Sequence, residues 1–284
     1  METNKIWFVT GASKGLGLTL VQKLLANGIS VAATSRNVED LKKAVGNDTA
    51  QFLPLATDLK SEASIQEAIE KTVAHFGRVD VIVNNAGYGL LGSVEELSDA
   101  EIRGNFEINV FGVFNVIRKA MPYLRAQRSG HILNISSIGG FMGGFPGFGA
   151  YCATKFAVNG LSESLAEEVR SFGVKVTIVE PGYFRTDFLS DSSIGLPKTE
   201  IAEYKEVRDS QNAHQNEING KQLGNPEKAA EAMIRIVSEA NPPMNLFLGS
   251  DAFAVANGKI AAVQKELEDW KSLTVSTDFE VESV

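Results

Sequence analysis

Short apolar runs alternate along the chain with longer stretches whose apolar residues recur at helical spacing. Residues 5–10 (Lys-Ile-Trp-Phe-Val-Thr) form a run of strand length, and Leu18, Val21, Leu24 and Leu25 then repeat on one helical face. The same alternation predicts strands at 30–35, 52–56, 79–83, 131–136, 174–179 and 245–248. Helical patterns fill the gaps at 38–45, 61–75, 99–124, 151–173 and 227–240. Apolar strands joined by helices of this length imply an α/β fold with helices on both faces of a parallel sheet. Two stretches interrupt the rhythm. Residues 183–225 carry no clear strand, and residues 252–270 form a helical extension before an acidic tail at 278–284.

The first strand runs into Gly11-Ala12-Ser13-Lys14-Gly15-Leu16-Gly17 and then a helix. Glycines there let the backbone turn tightly and approach a pyrophosphate, which the free N–H groups and positive end of the helix would meet. The spacing is G-x-x-x-G-x-G, in the strand-to-helix context that phosphate binding requires. The second strand ends in Ser35-Arg36, about twenty residues further on, where an acidic residue would bind the ribose of NAD and an arginine accommodates a 2′-phosphate. Arg36, with Lys14 as a second cation, favours NADP(H); the plainer alternative is a solvated loop charge and a helix-start lysine.

Further candidates fall at the carboxyl ends of later strands, where open parallel sheets collect ligands. Asp58, followed by Leu59, either accepts a hydrogen bond from an adenine amino group or begins the turn before the next helix. Asn84-Asn85-Ala86-Gly87 offers small residues beside which a flat ring and sugar could lie. Asn109 is an amide among apolar neighbours, with either a structural or a chemical partner. Ser136-Ser137 ends a strand, and a hydroxyl there could bind a carbonyl oxygen as charge develops on it. Tyr151 and Lys155 share one helix face. A tyrosine is a poor proton shuttle near neutral pH unless its anion is stabilised, which an ammonium one turn away can do.

Composition narrows the alternatives. With 284 residues, 44% hydrophobic, the chain can bury the core of a single large domain. A formal net charge of −8 and the lack of a basic stripe argue against nucleic acid. No apolar run approaches the ~20 residues of a bilayer span, and no leader pattern opens the sequence, so a cytoplasmic protein is expected. One cysteine, Cys152, and three histidines make a metal site improbable.

Taken together, Thr10–Gly17, Asp58-Leu59, Asn84–Gly87, Asn109, Ser136-Ser137, Tyr151-x-x-x-Lys155, Pro181-Gly182 and Thr186 make the chain resemble the NADP(H)-preferring short-chain dehydrogenases/reductases over roughly residues 5–190. The resemblance implies a Rossmann-like, doubly wound parallel sheet. It implies that Tyr151 transfers the proton, that Lys155 lowers its pKa and holds the nicotinamide ribose, and that Ser137 binds the substrate oxygen, with Ser136 as fallback. Asn109 would help hold a water linking Lys155 to solvent. For the cofactor it implies Gly11, Ser13, Gly15, Leu16 and Gly17 around the phosphates. Lys14, Ser35 and Arg36 would lie at the 2′-phosphate, and Asp58 and Leu59 at the adenine. Asn85, Ala86 and Gly87 would run along the adenosine side, with Pro181, Gly182 and Thr186 at the nicotinamide. A dimer or tetramer is also expected of such a chain.

The expected activity is reversible hydride transfer between NADP(H) and a carbonyl or secondary alcohol; the alternative is a non-catalytic NADP-binding sensor or scaffold. Tyr183, Phe184, Phe188 and Tyr204 in 183–225 suit a lid over an apolar substrate. Phe141, Met142, Phe145 and Phe148 are either its opposing wall or core plugs.

Overall fold

The computed structural model describes residues 5–46, 49–190 and 193–279. Its strands are β1 (Trp7–Val9), β2 (Val31–Ser35), β3 (Phe52–Ala56), β4 (Val81–Asn84), β5 (Gly89–Leu90), β6 (Gly130–Ile135), β7 (Val174–Pro181), β8 (Ile194–Gly195) and β9 (Asn245–Leu248). Its helices are α1 (Gly15–Ala26), α2 (Val38–Val45), α3 (Glu62–Phe76), α4 (Asp99–Phe106), α5 (Gly112–Gln127), α6 (Gly149–Val169), α7 (Lys205–Asn212), α8 (Pro226–Ser238), α9 (Ser250–Asp269) and α10 (Lys271–Val275).

Seven strands form one parallel sheet in the order β3-β2-β1-β4-β6-β7-β9. Alternation along β1 shows how it is buried. Trp7 and Val9 pack with Leu20, Val21 and Leu24 of α1 and with Ala230 and Met233 of α8. Phe8 points to the opposite face, among Ile65 and Ile69 of α3 and Val116 and Ile117 of α5. Both faces are thus covered by helices, the doubly wound arrangement expected, in one domain. Strand order reverses between β1 and β4, and the crevice at such a switch point is where these sheets bind ligands.

Two departures from the expected elements bear on function. The pattern at 99–124 predicts one helix, but a π-turn, Glu107–Phe111, separates α4 from α5. Residues 183–225 are not featureless. β8 pairs with β5 apart from the main sheet, α7 follows, and a second π-turn spans Ala213–Ile218. This segment is clamped by Glu96, whose carboxylate is held by the N–H groups of Ser93 and Ile201, both at 2.7 Å, and by Arg208 at 2.8 Å. The extension predicted at 252–270 is α9, rooted through the buried Ala252 and Ala256 against Ile138. The acidic tail lies outside the described residues from position 280 onward. Among the described residues no helix is long and apolar enough to cross a membrane.

Candidate active site

A cavity of about 690 Å³ runs along the carboxyl ends of the central strands. Its floor is the glycine turn. A Cβ on Gly11, whose φ is +65°, would sit 2.7 Å from the Cα of Ala86; on Gly17 it would sit 2.3 Å from the Asn85 amide nitrogen. Asn85 is a knot: its Nδ2 donates to the carbonyls of Thr10 at 2.9 Å and Gly11 at 3.0 Å. Thr10 answers by accepting the N–H groups of Asn85 and Ala86 on its hydroxyl. α1 opens on the cavity with no side-chain cap and no acid in its first turn. Its leading N–H groups and positive dipole end therefore face that space, as an anionic phosphate requires.

Every cofactor position expected from the sequence lines this cavity except Gly17, which sits one layer beneath and lets the turn pack on Asn85. Arg36 is exposed at the end of β2 and makes no ion pair among the described residues. Lys14 borders the cavity, and its amino group donates to the hydroxyl of Ser193 at 2.8 Å, tying the glycine turn to the segment after β7. One oxygen of Asp58 accepts the N–H of Lys60 in a local turn, so the turn alternative is realised while the residue still borders the cavity. Thr186 caps the short turn Asp187–Leu189 and stands over Gly15, 3.9 Å from where a Cβ there would lie.

At the other end the cavity is bordered by Ser137, Tyr151 and Lys155. Tyr151 and Lys155 lie in the first turns of α6 and are both buried, at 7% and 5% exposure. Burial raises the Tyr151 pKa well above its ordinary value, opposed by a side-chain hydrogen bond with Ser137. Burial also lowers Lys155 to about 8. The lysine does not bond the phenol directly. Its Nζ donates to the Ile135 carbonyl at 2.8 Å and stands 5.8 Å from the Tyr151 ring centre.

The two serines separate cleanly. Ser136 is buried, with its hydroxyl against the Lys155 carbonyl and only 2.4 Å from where a Gly140 Cβ would lie. Ser137 is the one bonded to the tyrosine. Asn109 does not reach the cavity. Held in the first π-turn, its amide grips both the N–H and the carbonyl of Tyr88, at 3.1 and 3.0 Å, and the Thr154 hydroxyl at 3.1 Å. It fixes the chain after Gly87 to the helix bearing Tyr151. Cys152 also borders the cavity, and burial raises its thiol pKa to about 11, which keeps it protonated and unreactive.

Of the aromatic candidates, Phe145, Phe148, Tyr183, Phe184 and Phe188 border the cavity. Phe141 instead packs edge-on against Phe247, and Tyr204 hydrogen-bonds Glu95 at the surface. His214 is a cavity residue that sequence reasoning missed, bonded through Nε2 to the Tyr183 hydroxyl at 2.7 Å. A lone histidine in an aromatic-rich segment was the only signal, and its partner lies thirty-one residues away.

Residues 5–195 match the family model for the short chain dehydrogenases, and the chain belongs to that family. Oxidoreductase BOA17 of Botryotinia fuckeliana is 36% identical over 96% of this chain and 99% of its own. A 3-ketodihydrosphingosine reductase of Bacteroides thetaiotaomicron is 36% identical over 86% of this chain and 88% of its own. A short-chain dehydrogenase from Streptomyces avermitilis superposes with a TM-score of 0.89 at 37% identity, over 98% of this chain and all of that one. More distant solved relatives hold the two nicotinamide dinucleotides: a 3-ketoacyl-(acyl-carrier-protein) reductase from Brucella melitensis with NADH, at 25% identity and TM-score 0.71, covers 86% of this chain and 96% of its own. ElxO with NADP, at 27% and 0.72, covers 88% of this chain and 99% of its own. The protein is thus an oxidoreductase of a family whose members bind NAD(H) or NADP(H).

Proposed function

We propose that the protein is an NADP(H)-dependent reductase of an apolar carbonyl compound, reversible as a secondary-alcohol dehydrogenase, with Tyr151 as the proton donor. The observation that carries this reading is the shared cavity: an uncapped helix start and an arginine with no ion pair among the described residues at one end, a half-buried Ser137 beside the buried Tyr151 and Lys155 at the other. Gly11–Leu16 and Asn85–Gly87 would hold the dinucleotide, with Arg36 and Ser35 at its 2′-phosphate. When bound, the cofactor supplies the hydride. Ser137 positions the substrate oxygen beside the Tyr151 hydroxyl. Tyr151, kept protonated by burial, gives its proton as negative charge grows on that oxygen. Lys155, held by Ile135, offsets the charge left on the phenolate, and its grip on that carbonyl keeps the ammonium close without spending it on a direct contact. Asn109 is a positioning residue, since its polar atoms are engaged by Tyr88 and Thr154. A relative named as a keto-group reductase agrees with this chemistry.

Residues 183–225 would form the substrate lid, and 252–284 an extension of the same domain. A cytoplasmic homodimer or homotetramer is the setting this reading assigns. The test is NADPH oxidation over a panel of apolar ketones and aldehydes, run with wild type and Arg36→Asp. Wild type should prefer NADPH. The variant should lose on the order of a hundredfold in NADPH affinity, as expected when a charge-assisted hydrogen-bond partner becomes a like charge. Preference for NADH in wild type would refute the cofactor assignment. Cofactor binding without oxidation by any carbonyl would favour the sensor or scaffold alternative.

A further inference from the structure

One polar pair on the substrate side of the cavity takes no part in the proton transfer. Tyr183 and His214 sit among Phe145, Phe148, Phe188 and Leu189. The ring of Phe148 neighbours both His214 and the reacting centre, its centre 6.2 Å from that of Tyr151 and 4.7 Å from that of His214. Tyr183 is close enough that its charge, were it ionised, would oppose ionisation of Tyr151.

The hydrogen-bond chain through the pair has a fixed direction. His214 Nδ1 lies 2.6 Å from the Ser210 main-chain carbonyl. A carbonyl can only accept, so Nδ1 carries the ring proton. Burial lowers the imidazole pKa, so the ring is neutral and Nε2 is a bare acceptor. The Tyr183 hydroxyl, 2.7 Å away, must therefore donate to Nε2. Its one proton is committed, and the phenolic oxygen can offer the cavity only lone pairs. Such a chain polarises each member and strengthens the free end as an acceptor. The π-turn Ala213–Ile218 places His214 inward; wide turns of this kind recur at functional positions, and the other one among the described residues carries Asn109.

We propose that Tyr183, directed by His214, is a specificity-determining hydrogen-bond acceptor for a hydroxyl group on the substrate, so that the preferred substrates are apolar ketones bearing a hydroxyl as well as the carbonyl. This rests on the carbonyl-reduction reading above. A plain ketone covers the acceptor with hydrocarbon and leaves it unsatisfied, and an ether oxygen placed there meets lone pairs with lone pairs.

The test compares benzylacetone with its para-hydroxyl, benzylic-hydroxyl and para-methoxy derivatives. In wild type, kcat/KM for at least one hydroxylated ketone should exceed that for benzylacetone by on the order of fivefold to tenfold, the worth of one net hydrogen bond, and the methoxy compound should fall below both. Tyr183→Phe should bring the hydroxyl-to-plain ratio to about one. His214→Leu removes the acceptor and frees the Tyr183 proton. The methoxy derivative should then gain on the hydroxyl derivatives, an inversion that a merely structural role would not produce. Calorimetric binding of the same four compounds to Tyr151→Phe, with reduced cofactor present, reads the preference without turnover. A hydroxyl preference in binding with no reduction of any ketone by wild type would support the Tyr183 site and refute the reductase reading. Equal binding of all four, absence of binding, or a ratio unchanged in Tyr183→Phe would overturn the proposal while leaving any observed reductase activity standing.

Discussion

Replacing Gly17 with alanine adds one methyl group at the point where the glycine turn, α1 and the Asn85 knot meet. Its Cβ would lie 2.3 Å from Asn85 Nδ2 and 2.7 Å from the Gly11 carbonyl oxygen. Ordinary contact needs roughly 3.5–4.0 Å, so the amide must retreat by more than an ångström. Retreat breaks its bonds to the Thr10 and Gly11 carbonyls. Overpacking costs about 1–3 kcal/mol and the two lost hydrogen bonds about 1 kcal/mol each, giving a destabilisation of roughly 3–5 kcal/mol. Because α1 must shift with the turn, cofactor affinity should also fall by at least about tenfold, an effect of ~1.4 kcal/mol. Urea unfolding measures the first effect and fluorescence titration with NADPH the second. Gly258→Ala is the control: Gly258 is inside α9 with nothing within 4 Å of its Cβ position, so alanine there should stabilise by about 0.5–1 kcal/mol. A loss under about 1 kcal/mol with unchanged affinity in Gly17→Ala would refute the idea that the Asn85 knot sets the phosphate turn.

Two pH dependences follow from buried groups. Lys155 loses its charge above about pH 8, and with it the support for the Tyr151 phenolate. The rate of carbonyl reduction should therefore decline above that pH, and Lys155→Met should lack this limb at a rate lower by about 10²-fold or more; a wild-type profile flat to pH 10 would contradict the role given to Lys155. His131 Nε2 lies 2.9 Å from the Thr177 hydroxyl, which itself donates to the Pro243 carbonyl. Nε2 therefore carries the proton, and the buried Nδ1 has no hydrogen-bond partner among the described residues. Burial, with smaller contributions from Lys175 and Lys5, lowers the His131 pKa from 6.5 to about 3. Between those values the unfolded chain binds the proton and the folded one does not. Stability is then fully present above the unfolded pKa and falls on acidification, by on the order of 5 kcal/mol across the window. Urea unfolding of wild type and His131→Gln at a series of pH values should show the slope in wild type and its reduction in the variant.

The central fold was legible because its forces are local and periodic. Trp7, Phe8 and Val9 alternate between two cores, while Leu20, Val21 and Leu24 keep to one side of α1, so residue type and position agree. The Tyr151–Lys155 spacing likewise follows from helix geometry alone. The π-turn around Asn109 was not legible, because one residue added to a turn leaves the apolar rhythm of 99–124 nearly intact. Residues 183–225 were opaque for another reason. β8 has two residues and exists by pairing with β5, and α7 is held by the Glu96–Arg208 ion pair across 112 residues of sequence. Lys14 shows the limit for side chains: its place in the glycine turn gave no sign that its amino group also bonds Ser193, 179 residues further on. A long flexible side chain near two sites takes its partner from packing that spacing does not encode.

The claim that most needs measurement is that Tyr151 delivers the proton. Wild type and Tyr151→Phe should be compared with one carbonyl substrate that wild type reduces, recording NADPH affinity by fluorescence and turnover by loss of NADPH absorbance. Affinity should stay within about threefold while kcat falls by on the order of 10³-fold, as loss of a positioned general acid requires. Turnover within tenfold of wild type, with cofactor bound, would contradict the account.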